Sequence, residues 1–412
     1  MINTENISEI DVQPFDLSSK EKRFLAVFNN KHFEISSSVA ELIDILKQSD
    51  SLEEIASILT VRQNKIFTQE DVCFLIDKCI VPIIKNDNPT KKKTFIYERD
   101  IIPSEKISIV SEKLKKLFFP PIVVIFLICI VILEVLFFVS TDFDYQTLGH
   151  IGLFEITGIL LFYIFSSLFH ELGHASACKY FKSIHGNIGF GLYLNFPVFY
   201  TDVSGIWKLS RKQRLIINMA GVYFQMIYLC PFIIFSFIFP DNIIIRHFVL
   251  IVNLNLLFTL NPFFKFDGYW MMSDLLGVPN LRKRGMEYLA FIYKKIRKFP
   301  IQQKPFLLTM KTKGKRIMII YSMIVNIFMG IYFCYFLPRF IYSFFSTFPL
   351  EFSILIKNIA IGVFPPFQTI YALFSQLIFF LFSIYLLYVI ISPFVKNTIL
   401  NVHTKQSKIN PI

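Results

Sequence analysis

The sequence has no C-x-x-C pair. Its six cysteines, Cys73, Cys79, Cys129, Cys178, Cys230 and Cys334, stand apart, which excludes a zinc ribbon or a thioredoxin-like motif. Free, reduced thiols are expected. Charge is also scarce: Asp, Glu, Lys and Arg make up 17% of the 412 residues. Hydrophobic residues reach 54% and the mean hydropathy is +0.54, so much of the chain belongs in lipid rather than in a soluble core. No internal repeat is visible, which counts against a transporter architecture. The stretch from Met1 to Asp16 is polar and acidic, without a basic segment leading into an apolar one. No signal peptide is expected.

What charge there is carries a sign. The formal net charge is +12, and the basic residues flank apolar segments. Cytoplasmic loops of membrane proteins are enriched in Lys and Arg, which accounts for this placement better than nucleic-acid binding does. The same loops suit anionic lipid headgroups. The 49 Phe residues fit lipid-facing helix surfaces and carry no function of their own.

Residues 1–88 read as a small soluble domain. Two apolar stretches, Phe24–Phe28 and His32–Ile35, flank Asn29-Asn30-Lys31, a hairpin turn pattern. Three short helices follow. Ser38-x-x-Glu41, Ser51-x-x-Glu54 and Thr68-x-x-Asp71 each read as a capping box. A last short strand is expected over Ile80–Ile84. The helices carry more Asp and Glu than Lys and Arg, so DNA binding is not expected. Residues 89–117 read as a basic linker, with Lys91-Lys92-Lys93 and four further lysines.

Apolar runs long enough to span a bilayer, at about 20 residues each, cover Phe118–Ser140, Ile151–Phe181, Leu215–Phe239, Ile243–Phe264, Ile317–Leu337 and Thr369–Phe394. Threading them from a cytoplasmic N-terminus puts every dense basic cluster inside, with both termini cytoplasmic. Residues 276–316 become a basic cytoplasmic loop and 317–412 a C-terminal transmembrane region. The segment Phe352–Phe367 is apolar but broken by Lys357 and Pro365-Pro366 and reads as an interfacial or re-entrant piece, which leaves the span assignment open over 339–368. The fold class is thus a mainly α-helical polytopic membrane protein with about six transmembrane helices and a small N-terminal α+β winged-helix-like domain.

The chemistry centres on His170-Glu171-Leu172-Gly173-His174 in the second run. Residues i and i+4 share a helix face, so both imidazoles point one way and can hold one Zn²⁺, with Glu171 beside them as general base. Ionisable groups inside a membrane segment are costly and mark function by default. A catalytic zinc takes three protein ligands. Asp267, in Asn261-Pro262-Phe263-Phe264-Lys265-Phe266-Asp267-Gly268, is the candidate third, at the same membrane depth as the histidines.

H-E-x-x-H in one span and N-P-x-x-x-x-D-G in a later one resemble the site-2 proteases, intramembrane zinc metalloproteases, over residues 118–275. The resemblance implies His170, His174 and Asp267 as zinc ligands, Glu171 as catalytic base and Asn261 as a motif asparagine orienting substrate or an oxyanion. Two departures stand out. Where many members have A-G-P-x-x-N, this chain has Ala220-Gly221-Val222-Tyr223-Phe224-Gln225. Its D-G is followed by Tyr269-Trp270, which looks like the peptide zinc metalloprotease branch. The core leaves no room for a PDZ insertion. The front domain is similar in pattern and position to PqqD-like domains, which bind the leader of ribosomally made peptides as an added strand.

Together these imply a membrane zinc endopeptidase that matures a ribosomally synthesised peptide at the cytoplasmic side of the cell membrane. A membrane-tethered regulator or signal-peptide remnant is the alternative substrate, and a metal-binding transporter or export component the rival class. Residues His185–Tyr200, with Gly186, Gly189 and Gly191, read as a membrane-dipping hairpin whose edge, around Leu192, pairs with extended substrate. Cys178 reads as a packing residue. Glu134 and Glu155 read as interfacial or polar-contact residues, Asn253 and Asn255 as interhelical donors, and Asp202 as a turn residue. His32, His150, His247 and His403 have no partner pattern.

Overall fold

The computed structural model describes residues 7–29, 31–49, 51–85, 95–141, 153–193, 196–300, 304–363 and 365–406. Asn30, the Lys91–Lys93 run and His150 lie outside the described residues, as do 142–152, which hold most of the expected first outer loop.

Strands Asp11–Phe15 (β1), Arg23–Phe28 (β2) and Lys31–Ser36 (β3) form an antiparallel sheet in the order β1-β2-β3. Helices Ser37–Gln48 (α1), Leu52–Gln63 (α2) and Gln69–Leu75 (α3) follow. The central strand is a continuous apolar run, a pattern of burial on both faces. Both faces are in fact covered. Ala26 and Phe28 join Ile43, Ile45 and Ile55 of the domain's own helices, while Leu25 and Val27 join Phe15 and Trp207 on the other side. The N-terminal sheet is therefore docked on the rest of the chain.

Thr68 and Asp71 make the expected capping box. The first helix is instead capped by Ser36, whose hydroxyl accepts from the Val39 N–H at 3.3 Å, two residues before the expected Ser38. Ser51 caps α2 without a side-chain bond. The strand expected over Ile80–Ile84 is helical: a π turn, Ile76–Ile80, leads into Val81–Ile84. β-branched content suggested a strand, but Ile76, Ile80 and Ile83 recur at helical spacing and are buried in the domain core, so packing decides.

The expected linker, residues 89–117, is not a bare connector. It supplies strand Tyr97–Ile102 (β4) and helix Ser104–Leu114 (α4). The membrane helices Pro120–Ser140 (α5) and Leu153–Tyr180 (α6) come next, then strands Ile188–Tyr193 (β5) and Phe196–Thr201 (β6). β5 lies between β4 and β6, all antiparallel. The hairpin therefore exists as expected, but Leu192 sits in its central strand, paired with both Tyr97 and Pro197.

Helices Arg211–Ile238 (α7), Ile243–Thr259 (α8), Asp267–Leu276 (α9) and Leu281–Ile296 (α10) follow. The last of these occupies much of the expected basic loop. Helices Thr312–Ile331 (α11) and Leu337–Ala360 (α12) join through a π turn at Tyr332–Phe336, and Phe367–Gln406 (α13) is the last helix. The expected break after Leu337 is absent. Pro338 lacks an N–H and its ring meets the carbonyl four residues back, and the wider π turn lies at that point.

Five helices among the described residues are long and apolar enough to cross a membrane: Pro120–Ser140, Phe154–Tyr180, Arg211–Ile238, Thr312–Ala360 and Thr369–Tyr388. The expected fourth span, Ile243–Phe264, stops at Thr259 and is a shorter apolar helix. It ends because Asn261 Oδ1 accepts the Phe263 N–H at 2.7 Å, closing a turn around Pro262. The chain is a polytopic helical membrane protein with a small N-terminal sheet domain.

Candidate metal centre

Helix α6 places His170 and His174 one turn apart, with both rings buried. Their Nε2 atoms lie 3.2 Å from each other. Asp267, the first residue of α9, brings Oδ2 to 2.8 Å from His170 Nε2 and 3.3 Å from His174 Nε2. Ligands held about 2.0–2.1 Å from a tetrahedral zinc lie about 3.3 Å from one another. The three donors therefore form a triangle of the right size for one small ion, with two imidazoles and a carboxylate as its donor set.

The outer nitrogens fix which atoms face the centre. His174 Nδ1 lies 2.8 Å from the Ile217 carbonyl, which can only accept, so Nδ1 carries a hydrogen and Nε2 is the nitrogen left for a metal. His170 Nδ1 lies 3.2 Å from Gln225 Oε1, while the Gln225 amide donates to Ser166 Oγ at 3.0 Å. Both imidazoles thus turn Nε2 inward, leaving that atom to ligate a metal once it is deprotonated, the arrangement that ligating histidines use. Gln225 holds the position where the resembled family carries asparagine. The sequence showed that departure, but only the packing of α7 on α6 reveals its partner.

Close helix approach makes the arrangement possible. A Cβ on Gly173 would collide with the Ala220 carbonyl, and a Cβ on Gly221 would collide with Nε2 of both histidines. The space kept open at Gly221 adjoins the two imidazole Nε2 atoms.

Glu171 is buried at 7% exposure. The hydroxyl of Thr201, the last residue of β6, donates to Glu171 Oε2 at 2.8 Å. Sequence reading missed Thr201, since nothing in its spacing marks it. His170, Glu171, His174 and Asp267 line one cavity of about 1540 Å³. Tyr193, Phe199, Tyr200, Trp207 and Trp270 also face it. Burial, followed by a hydrogen bond to Asp100, pushes the Tyr200 phenol up to about 12, so it stays protonated.

Asn261 does not line this cavity. Its side-chain oxygen is used in the turn to Phe263. Cys178 is fully buried and is not among the clustered donors. Asn253 donates to Glu134 at 3.1 Å and Asn255 to Tyr163 at 2.9 Å, so these polar groups pair between helices as expected. Asp202 accepts from the Ser204 N–H at 2.9 Å as a turn residue.

Farther from the donors, the cavity wall holds Arg214, Asn218 and Asp274. Arg214 Nε donates to Asp274 Oδ1 at 2.6 Å and Asn218 Nδ2 to Asp274 Oδ2 at 2.8 Å. Burial pushes the Asp274 carboxyl up from its ordinary range, opposed by the Arg214 charge and hydrogen bond.

No family model and no solved structure matches the chain. Over 122 residues, 29% of its length, the chain is 28% identical to a Bacillus subtilis (strain 168) protein named "Putative peptide zinc metalloprotease protein YydH". The match spans about half of that relative, 48% of its length.

Proposed function

We propose that this chain is an intramembrane zinc metalloendopeptidase of site-2 protease type. The convergence of His170, His174 and Asp267 beside a buried Glu171, at the wall of one large cavity, carries the reading. His170, His174 and Asp267 would hold the metal. Bound zinc supplies Lewis-acid polarisation of a carbonyl and acidifies a water ligand. Glu171 takes the proton of the attacking water and returns it to the leaving amine. Thr201 holds that carboxylate in place, and the paired Nδ1 atoms keep both imidazoles in the ligating tautomer.

The substrate is a peptide segment in extended form, since a peptide bond within a helix is shielded. The edge strand β6 ends at Thr201, beside Glu171, and offers such a segment main-chain pairing next to the general base. We assign the substrate as a ribosomally made peptide whose leader binds the N-terminal domain. The supports are the pattern of that domain, its docking on the core that carries the donor set, and the similarity to a relative named as a peptide zinc metalloprotease. The basic segments favour a cytoplasmic placement of both termini in the cell membrane.

The test uses purified full-length protein in detergent with a library of internally quenched peptides. Zinc-loaded protein is expected to cleave a subset, and Glu171→Gln to keep its zinc and lose cleavage. Cleavage that survives Glu171→Gln, or protein that binds no zinc, would overturn the proposal.

A further inference from the structure

Asp267 belongs to a short helix that must be held in place, and what holds it lies outside the donor set. On α9, Asp267, Trp270 and Asp274 recur at spacings of three and four, so they share one face. On α7, Arg214, Asn218, Gly221 and Gln225 recur at spacings of four, three and four, and also share one face. The two faces meet in register. At one end Arg214 and Asn218 each donate to one oxygen of Asp274. At the other end Gly221 makes room for the imidazoles that meet Asp267.

The N-terminal domain closes this assembly. Arg214 is only 1% exposed, and its guanidinium lies 5.5 Å from the ring centroids of both Phe15 and Trp207. Phe15 meets Trp207 edge-on at 6.0 Å, and Trp207 meets Trp270 of α9 at 6.3 Å. The backbone N–H of Ser18 donates to the carbonyl of Gly277, the C-cap of α9, at 3.0 Å. Ion pairs Asp11–Lys208 at 2.9 Å, Asp16–Arg211 at 3.1 Å and Glu34–Arg284 at 3.0 Å fix the same docking.

We propose that Arg214, Asn218 and Asp274 are positioning residues that set Asp267 against the two histidines, and that the N-terminal domain completes the unit through Phe15. The domain is then a structural part of the metal centre as well as a docking module. This rests on the metal reading given above. Removing the partners that orient a metal ligand typically costs 10–100-fold in affinity, and the same scale applies here.

The experiment measures zinc affinity of the full-length protein in detergent by competition with a chromogenic chelator, with no substrate present. Asp274→Ala is expected to weaken zinc at least ten-fold, and Phe15→Ala by a smaller but measurable factor. The exchange Asn218→Asp with Asp274→Asn keeps one carboxylate beside Arg214 and one amide facing it, and is expected to recover most of the affinity lost in Asp274→Asn alone. Far-UV circular dichroism identifies a variant that has unfolded, in which case the exchange pair and Phe15→Ala decide. A parent that binds zinc, with folded Asp274→Ala and Phe15→Ala both within two-fold of it, overturns the proposal. A parent that binds no zinc overturns the metal reading and this proposal with it.

Discussion

The Thr201 hydroxyl donates to Glu171 Oε2 at 2.8 Å and also lies 3.1 Å from the Glu171 main-chain carbonyl. One residue of a sheet strand therefore holds the side chain of the proposed general base, its single hydroxyl hydrogen going to the nearer oxygen. Thr201→Val keeps the branched shape and removes the hydroxyl. Cleavage by this variant is expected to fall by up to about 10²-fold, the lower end of what general acid–base catalysis contributes, with zinc content unchanged. Thr201→Ser is expected to recover most of the activity. A Val variant with parental kcat would remove this role.

Gln225 acts on a proposed metal ligand instead. Without its Oε1, the Nδ1–H of His170 loses its acceptor in a buried site. Gln225→Leu should weaken zinc by about 10–100-fold. Chelator competition reads the affinity directly, and parental affinity in this variant would show that the contact is incidental.

Gly221→Ala gives a sharper geometric check. Alanine is the better helix former by up to about 1 kcal/mol, so helix α7 itself is not weakened. The new Cβ nevertheless meets Nε2 of both His170 and His174. Zinc content after purification is expected to fall to near zero while helix content holds. Full occupancy in the Ala variant would mean that α6 and α7 separate more easily than their packing implies.

The legible part of this centre was the part that repeats a chemical rule. His170 and His174 were readable because four residues make one helical turn, and Asp267 because a carboxylate stood where a buried ion needs a third ligand. Thr201, Gln225 and the Asp274 network were not, since each acts across elements distant in sequence. Ser36 capping α1 in place of Ser38 and the helical Ile80–Ile84 show the same limit at smaller scale. Several local patterns fitted, and packing selected among them. The continuous apolar run Phe24–Phe28 carries a further signal: a strand buried on both faces implies that a second body covers the sheet.

Acid should loosen the attachment of α4 to helix α6 and the turn that follows it. His185 is buried, its Nδ1–H donates to the Gly186 carbonyl at 3.0 Å, and its Nε2 faces Ser108 Oγ at 3.3 Å. Burial, with Lys179 nearby, lowers its pKa below the usual histidine value. A lowered histidine pKa means that the folded state binds fewer protons than the unfolded one. Stability is then full above about pH 6.5, the unfolded value, and falls as the pH drops below it. Glu105, Glu112, Lys115 and Lys182 border the same site. The thermal midpoint in detergent is expected to fall between pH 7.5 and 5.5, and the fall to shrink in His185→Gln. An equal fall in both proteins would place the acid sensitivity elsewhere.

Substrate pairing should depend on the outer edge of β6 and not on Leu192. In an antiparallel ladder successive residues turn their N–H groups to opposite sides. The Asp202 N–H bonds back toward Asn187 at 3.3 Å, so Asp202, Tyr200 and Val198 face β5. Thr201, Phe199 and Pro197 then face the open edge. Pro197 fits this, because a strand proline must turn its missing N–H away from the ladder. Phe199→Pro removes an outward N–H and leaves the pairing with β5 intact. Leu192→Pro strikes the central strand, which pairs with both β4 and β6, and would damage the sheet whatever the edge does. Phe199→Pro is therefore expected to raise KM for cleaved library peptides several-fold with zinc content and thermal midpoint near parental. An unchanged KM would mean that peptides reach Glu171 without adding a strand to this sheet.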